Sequence, residues 1–279
     1  MTTRALLLAS LLLIALPAAA QERFDLSDAA GKKPISGTLI LTLAGAELDL
    51  VVDGKAQHLA GALTAGKDGA RTGTLAPPRG LAGAIEQAQG KPWKATLRRD
   101  GPLVSLRLAR GFKRLNLRGE VALGARDERN EALIRRFYEA FAAGDGETMA
   151  ASYAPEARFT DPVFPDLRDG AAGDMWKMLC ESKPKVVFSG IRADARYAVA
   201  HWEADYELFG NQVHNVIEAR FELRDGKIVR HVDSFDFKVW SRQAFGVLSR
   251  AVPSAFLQHV VRKISASRLA TWQKEHPRK

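Results

Sequence analysis

Cysteine is almost absent: Cys180 is the only one in 279 residues. An internal disulfide is therefore excluded, and stability has to come from a buried core, which a chain of this length can build. Cys180 ends the apolar run Met175-Trp176-Lys177-Met178-Leu179-Cys180 and reads as a buried, inert thiol. Metal-ligand spacing is lacking too. Asp161, His214 and His231 can be grouped only without any recurring interval, so no metal and no other cofactor is expected. No Gly-rich phosphate loop, no nucleophile elbow and no nucleic-acid motif is present. After the N-terminus no run is long and apolar enough to span a bilayer, which takes about 20 residues.

Acids are fewer than bases, 32 against 41, and the net charge is +9. The excess is uneven. Ser241 to Lys279 carries eight Lys/Arg and one acid, Glu275, and a second basic stretch runs from Lys91 to Arg118. Such surfaces suit an anionic envelope component better than nucleic acid. The 46% apolar and 26% charged fractions are those of an ordinary globular protein.

The chain opens Met1-Thr2-Thr3-Arg4, continues through the apolar stretch Ala5 to Leu16, and reaches Pro17-Ala18-Ala19-Ala20-Gln21. That is the order of a secretory signal peptide over residues 1–20, cleaved before Gln21. The expected location is the periplasm or the exterior.

Residues 22–120 read as a small all-β domain, an antiparallel meander or sandwich. Short alternating runs such as Thr38–Leu43, Leu48–Val52, Trp93–Leu97 and Leu103–Leu108 are separated by Gly-containing turns. Leu81 to Gln89 reads as a short helix or covering loop. This half holds no catalytic cluster.

The pattern changes after residue 128. Ile134, Phe137, Tyr138 and Phe141 fall at i, i+3, i+4, i+7, one helix stripe. Gly144 suits the C-cap, and Asp145 caps a second, short helix reaching Tyr153 and ended by Pro155. The stretch Ala157–Asp161 is a strand stopped by Pro162, since proline cannot donate to a sheet ladder. It leaves the Asp161 carboxylate at a strand mouth. A helix with Met175, Trp176 and Leu179 follows, then four strands, about 185–191, 196–208, 213–224 and 227–237. Helices first and a long antiparallel sheet afterwards means α+β.

Strand alternation selects the inner face: Trp202, Ala204, Tyr206 and Leu208 on one strand, Asn215, Ile217, Ala219 and Phe221 on the next, and His231, Asp233 and Phe235 on the last. A type I turn with a Gly bulge at Asp225-Gly226 sets Ile217 opposite Asp233 and Ala219 opposite His231. Asp161, His231 and Asp233 then converge on one apolar cavity, where burial raises a carboxyl pKa toward that of a useful acid or base. The segment 241–279 reads as partly helical, broken at Gly246 and Pro253. It covers the domain, pairs two copies into a homodimer, or lies on an anionic membrane.

The phrases EALIRRFYEAFAAGD, FTDPVFPDL and VHNVIEARFELRDGKIVRHVDSFDF together resemble the nuclear-transport-factor-2-like superfamily, in its SnoaL-like and ketosteroid-isomerase-like branch. The resemblance covers about 130–240. It implies a cone, a curved antiparallel sheet against three helices, with a mostly apolar pocket for a small molecule over 128–240. It also implies that Asp161 occupies the position of the isomerases' general base. The isomerases' oxyanion tyrosine falls on Phe137, and their protonated aspartate falls near Glu218 or Ala219. Related cyclases use a lone pocket aspartate, which makes Asp233 a rival to Asp161. The candidate catalytic residues are Asp161, Asp233 and His231. The candidate pocket residues are Phe137, Tyr138, Trp176, Trp202, Asn215, Ile217 and Phe235. Three functions follow: a module binding a small, largely apolar molecule; a proton-transfer isomerase, cyclase or dehydratase using Asp161 or Asp233; or an envelope interaction protein.

Overall fold

A computed structural model describes residues 22–278 except 30, 32–33, 43–44, 53–54, 67–68, 77–91, 209, 247–248 and 250–251. The stretches 1–20 and 81–89, read above as a signal peptide and a helix or covering loop, lie outside the described residues. The chain divides into two compact units, Met1–Ala122 and Leu123–Lys279.

The first unit is all-β. Its eight strands are β1 (Glu22–Asp28), β2 (Ile35–Leu41), β3 (Gly45–Val52), β4 (Lys55–Ala65), β5 (Arg71–Leu75), β6 (Trp93–Asp100), β7 (Leu103–Arg110) and β8 (Lys113–Val121). They form a closed antiparallel barrel, which corrects the expected open meander or sandwich. Closure is made by β1, which pairs with β2 through Phe24↔Leu39 and with β8 through Phe24↔Val121. It removes both exposed sheet edges. Alternate residues fill the interior: Phe24, Leu39, Leu48, Leu75 and Leu108 are fully buried. The outward positions are largely polar or charged.

The second unit is α+β. Helices α1 (Glu128–Ala143), α2 (Gly146–Ala151) and α3 (Ala171–Cys180) come early, with strand β9 (Tyr153–Thr160) between α2 and α3. The strands β10 (Lys185–Ala193), β11 (Tyr197–Leu208), β12 (Asn211–Arg224) and β13 (Lys227–Ser234) follow. Helices α4 (Phe237–Phe245) and α5 (Ser254–Glu275) end the chain. The sheet order is β10-β11-β12-β13-β9, with β9 parallel to β13 at the edge.

Local chemistry sets most boundaries. Asp127 caps α1 by accepting from the Arg129 and Asn130 N–H groups, and Gly144 closes it at φ 74°. Asp145 accepts from Thr148 N at 2.9 Å and starts α2. β9 begins at Tyr153, earlier than expected. Pro155 is tolerated because β9 is an edge strand and its ladder is irregular between Tyr153 and Arg158. β13 stops at Ser234 instead of Phe237. The Asp236 carboxylate accepts from Lys238 N and Val239 N and opens α4, so local capping competes successfully with the strand.

The β12–β13 hairpin differs in register. Asp225 and Gly226 both have positive φ, 51° and 69°, a two-residue turn of the I′ kind in place of the expected type I turn with a Gly bulge. A bulge between Glu222 and Leu223 follows. The partners are Ala219↔Asp233 and Phe221↔His231, two positions from expectation. A shift of two preserves the face, so the inward residues are unchanged.

Candidate active site

Inward side chains from the sheet meet α1 and α3 in one aromatic core. Phe137, Tyr138, Phe159, Trp176, Phe221 and His231 are all within 1% of full burial. Beyond this core lies a cavity of about 210 Å³. That is below the ~300–1,000 Å³ of drug-sized sites and fits a small molecule. Its wall is mostly apolar and includes Phe141, Trp176, Trp202, Ile217 and Phe235, with Asp161, Asp233, Tyr206 and Asn215 as its main polar groups.

Asp161 is both a loop cap and a cavity group. Its Oδ1 accepts from Val163 N at 2.7 Å and from Phe164 N, which shapes the turn after Pro162. Among the described residues its Oδ2 has no hydrogen-bond partner. Burial pushes the carboxyl up to about 7; the Phe164 N–H opposes this, the Asp233 charge adds to it, and the Val163 N–H and the Arg262 guanidinium oppose it.

Asp233 ends a buried polar chain. Trp176 Nε1–H donates to Tyr153 Oη at 2.7 Å. Tyr153 Oη lies 2.6 Å from His231 Nδ1, and His231 Nε2 lies 2.9 Å from Asp233 Oδ1. Trp202 Nε1 reaches the same Oδ1 at 3.4 Å. One proton arrangement with a neutral imidazole satisfies every member: the tyrosine hydroxyl donates to Nδ1, and Nε2–H donates to the carboxylate. Burial holds the Tyr153 hydroxyl far above its ordinary pKa, so it stays a donor. His231 itself is fully buried behind Asp233, with its ring 4.1 Å from that of Phe221.

Tyr206 and Asn215 add neutral hydrogen-bonding groups to the cavity wall. The Tyr206 hydroxyl accepts from Trp240 Nε1 at 2.7 Å, which leaves its own proton for the cavity. Burial, followed by the Trp240 hydrogen bond in the opposite sense and the nearby Asp161 charge, places it at about 12. Asn215 is 8% exposed, and among the described residues its amide has no hydrogen-bond partner.

The cavity therefore gathers Asp161, Asp233, Trp176, Trp202, Asn215, Ile217 and Phe235. It does not gather Phe137 or Tyr138, expected to line it. Both lie on the α1 stripe that packs into the narrow, filled end of the core, and Phe137 stands edge-on to Trp176 and His231. The Tyr138 hydroxyl is buried without a hydrogen-bond partner among the described residues. Tyr138→Phe is accordingly expected to stabilise the unit by about 1 kcal/mol in urea unfolding; destabilisation of that size would show that the hydroxyl is satisfied. His214 faces outward and pairs with Asp205 at 2.8 Å, far from any set with Asp161 and His231. Cys180 is buried, and burial raises its thiol to about 11, so it is not a nucleophile.

Tyr206, Tyr153, Trp240, Ser265 and Arg268 were not among the candidates. The inward phase of Tyr206 was readable. The others depend on contacts between distant segments. Ser265 and Arg268 reach the cavity from α5. That helix is fixed by buried Val261 and Leu269 and by Gln258 and Arg262, whose side chains donate to Pro162 O at 3.0 and 2.9 Å. At its far end Gln273 donates to Asp174 Oδ2 at 2.7 Å.

Helices α1, α2 and α3 pack on a mostly antiparallel sheet, and Asp161 and Asp233 line the apolar cavity. Residues 134–231 match the SnoaL-like domain family, and this segment is SnoaL-like. No curated protein matches the chain. Among solved structures, a Mycobacterium tuberculosis LEH-like epoxide hydrolase is 19% identical, covering 45% of this chain and 96% of its own, with a TM-score of 0.38. A candidate polyketide cyclase from Xanthomonas campestris is 22% identical over 42% and 97%, with a TM-score of 0.37. An NTF2-like protein of unknown function from Burkholderia pseudomallei is 16% identical over 43% and 100%, with a TM-score of 0.38.

Proposed function

We propose that the SnoaL-like unit binds a small, largely apolar carbonyl compound and moves a proton on it. The observation that carries this reading is the Asp161 carboxyl: it faces an apolar cavity, one of its oxygens has no hydrogen-bond partner among the described residues, and burial pushes it up to about 7. In the proposed step Asp161 Oδ2 takes the proton from the carbon next to the carbonyl, the C–H electron pair becomes a carbon–carbon π bond, and the carbonyl π pair moves onto the oxygen to give an enolate. The Tyr206 O–H and the Asn215 amide N–H supply hydrogen bonds to that oxygen. They stand in for the donors that are missing at Phe137 and at Glu218 or Ala219. Asp233, held by His231, is the second acid or base for returning the proton at another atom. No cofactor is required for this step.

Solvent hydrogen exchange into a panel of small cyclic ketones in D2O, followed by NMR, tests the reading. The wild type is expected to exchange at least one of them, with the rate rising as pH passes about 7 because the base must be ionised. Asp161→Asn is expected to lower that rate by about 10²–10⁴. Unchanged exchange in the variant would sink the role of Asp161. Tight ligand binding with no exchange by either protein would leave a binding module.

A further inference from the structure

The barrel carries a polarised outer face. Between Trp93 and Val121 the sequence has eight cations and two acids. Strand alternation turns Lys94, Arg98, Arg107, Arg114 and Arg118 outward, and all five are exposed. The register stacks them in three adjacent rows across β6, β7 and β8: Lys94–Ala109–Arg114, Thr96–Arg107–Asn116 and Arg98–Ser105–Arg118. The two acids, Asp100 and Glu120, lie at the other end, beside Leu103. The opposite wall of the barrel has Glu47 and Asp49 on β3.

At the basic end the β7–β8 turn projects Phe112, which is fully exposed. It is flanked by Arg110, Lys113 and Arg114. Arg110 is fixed over the Trp93 ring at 4.4 Å, and Arg114 donates to Gly111 O and Lys113 O. A large apolar side chain at the tip of a tight turn, ringed by cations, has no role in the barrel core.

We infer that this face docks on an anionic lipid bilayer, with Phe112 entering the headgroup region and the arginine rows lying on the phosphates. The charge pattern and the apolar tip together select this partner: a polyanion without an apolar phase would use the cations and leave Phe112 in water. The barrel's acidic wall would then face away, which fixes one orientation.

Sedimentation of the full chain with vesicles tests this. The wild type is expected to bind phosphatidylcholine vesicles containing about 30% phosphatidylglycerol at 50 mM salt, and to be released at 500 mM. It is expected to ignore pure phosphatidylcholine. Loss of each cation on the face should lower partitioning about fivefold and the acid that replaces it lowers it further, so Arg107→Glu with Arg114→Glu gives at least about 25-fold. Phe112→Ser should lower it about tenfold while keeping the salt dependence. Glu47→Lys with Asp49→Lys is the folding-matched control and should bind no worse than wild type. Equal binding to neutral vesicles, wild-type binding by the double reversal, or salt-sensitive binding to a single-stranded oligonucleotide with no vesicle binding would each overturn the inference. Arg107, Phe112, Arg114 and Asp49 are exposed and Glu47 is half-buried, so unchanged urea unfolding is the check that the variants fold.

Discussion

Asp161→Asn is expected to be more stable than the wild type at pH 8, by about 2–4 kcal/mol. The carboxyl titrates near 7 in the fold against 3.8 in its unperturbed form. Below about pH 4 both folded and unfolded chains hold the proton. Between 4 and 7 the unfolded chain releases it while the fold retains it, so the stability of the wild type falls as pH rises through this window. Above 7 the folded protein carries a buried charge. A shift of about three units corresponds to roughly 4 kcal/mol at most. Asparagine cannot ionise, and its Oδ1 can still accept from Val163 N and Phe164 N. Urea unfolding at pH 5 and pH 8 should show a pH-dependent SnoaL-like unit in the wild type and a flat one in the variant. Equal slopes in both proteins would mean that Asp161 is ionised at neutral pH and its environment is polar. The same substitution is expected to lower the exchange rate by about 10²–10⁴, the usual opposition of stability and activity at a functional site.

The second large effect concerns Trp176. Its side chain is 1% exposed and its ring lies 5.5 Å from Phe137, 5.0 Å from Phe141 and 5.7 Å from Phe159, edge to face in each case. It also anchors the polar chain by donating to Tyr153. Trp176→Ala is expected to cost about 3–5 kcal/mol, the transfer and cavity cost of a large buried aromatic. Trp176→Phe keeps an aromatic ring but removes the N–H and part of the buried ring volume, so about 1–3 kcal/mol is expected. The two variants separate packing from hydrogen bonding. Chemical denaturation followed by circular dichroism reads both, and equal losses would mean that the hydrogen bond to Tyr153 outweighs the ring.

How much of this was readable beforehand follows the range of each interaction. Helices α1 and α2 were legible because the apolar stripe of α1, its Gly144 C-cap and the Asp145 N-cap of α2 are set by residues close in sequence. The inner faces of β11, β12 and β13 were legible because side chains alternate whatever the neighbour does. Asp161 at a strand end followed from Pro162. The β12–β13 register was not, since the positive φ of Asp225 and the bulge at Glu222/Leu223 are set by how the two strands twist together. Parity survived because the shift was even.

The sequence by itself determined an all-β first half, an α+β second half that resembles the SnoaL-like family, and a short set of inward polar residues. Periodicity, capping and turn chemistry are local, so they are written in consecutive residues. Tertiary structure alone decided three things. It closed the first half into a barrel by pairing β1 with β8, nearly the whole unit apart in sequence. It joined Tyr153 to His231 and so gave Asp233 a fixed hydrogen-bond partner. It brought Tyr206, Asn215 and α5 to the cavity that Asp161 faces. Each is a contact between segments distant along the chain, so no local pattern in the sequence encodes it.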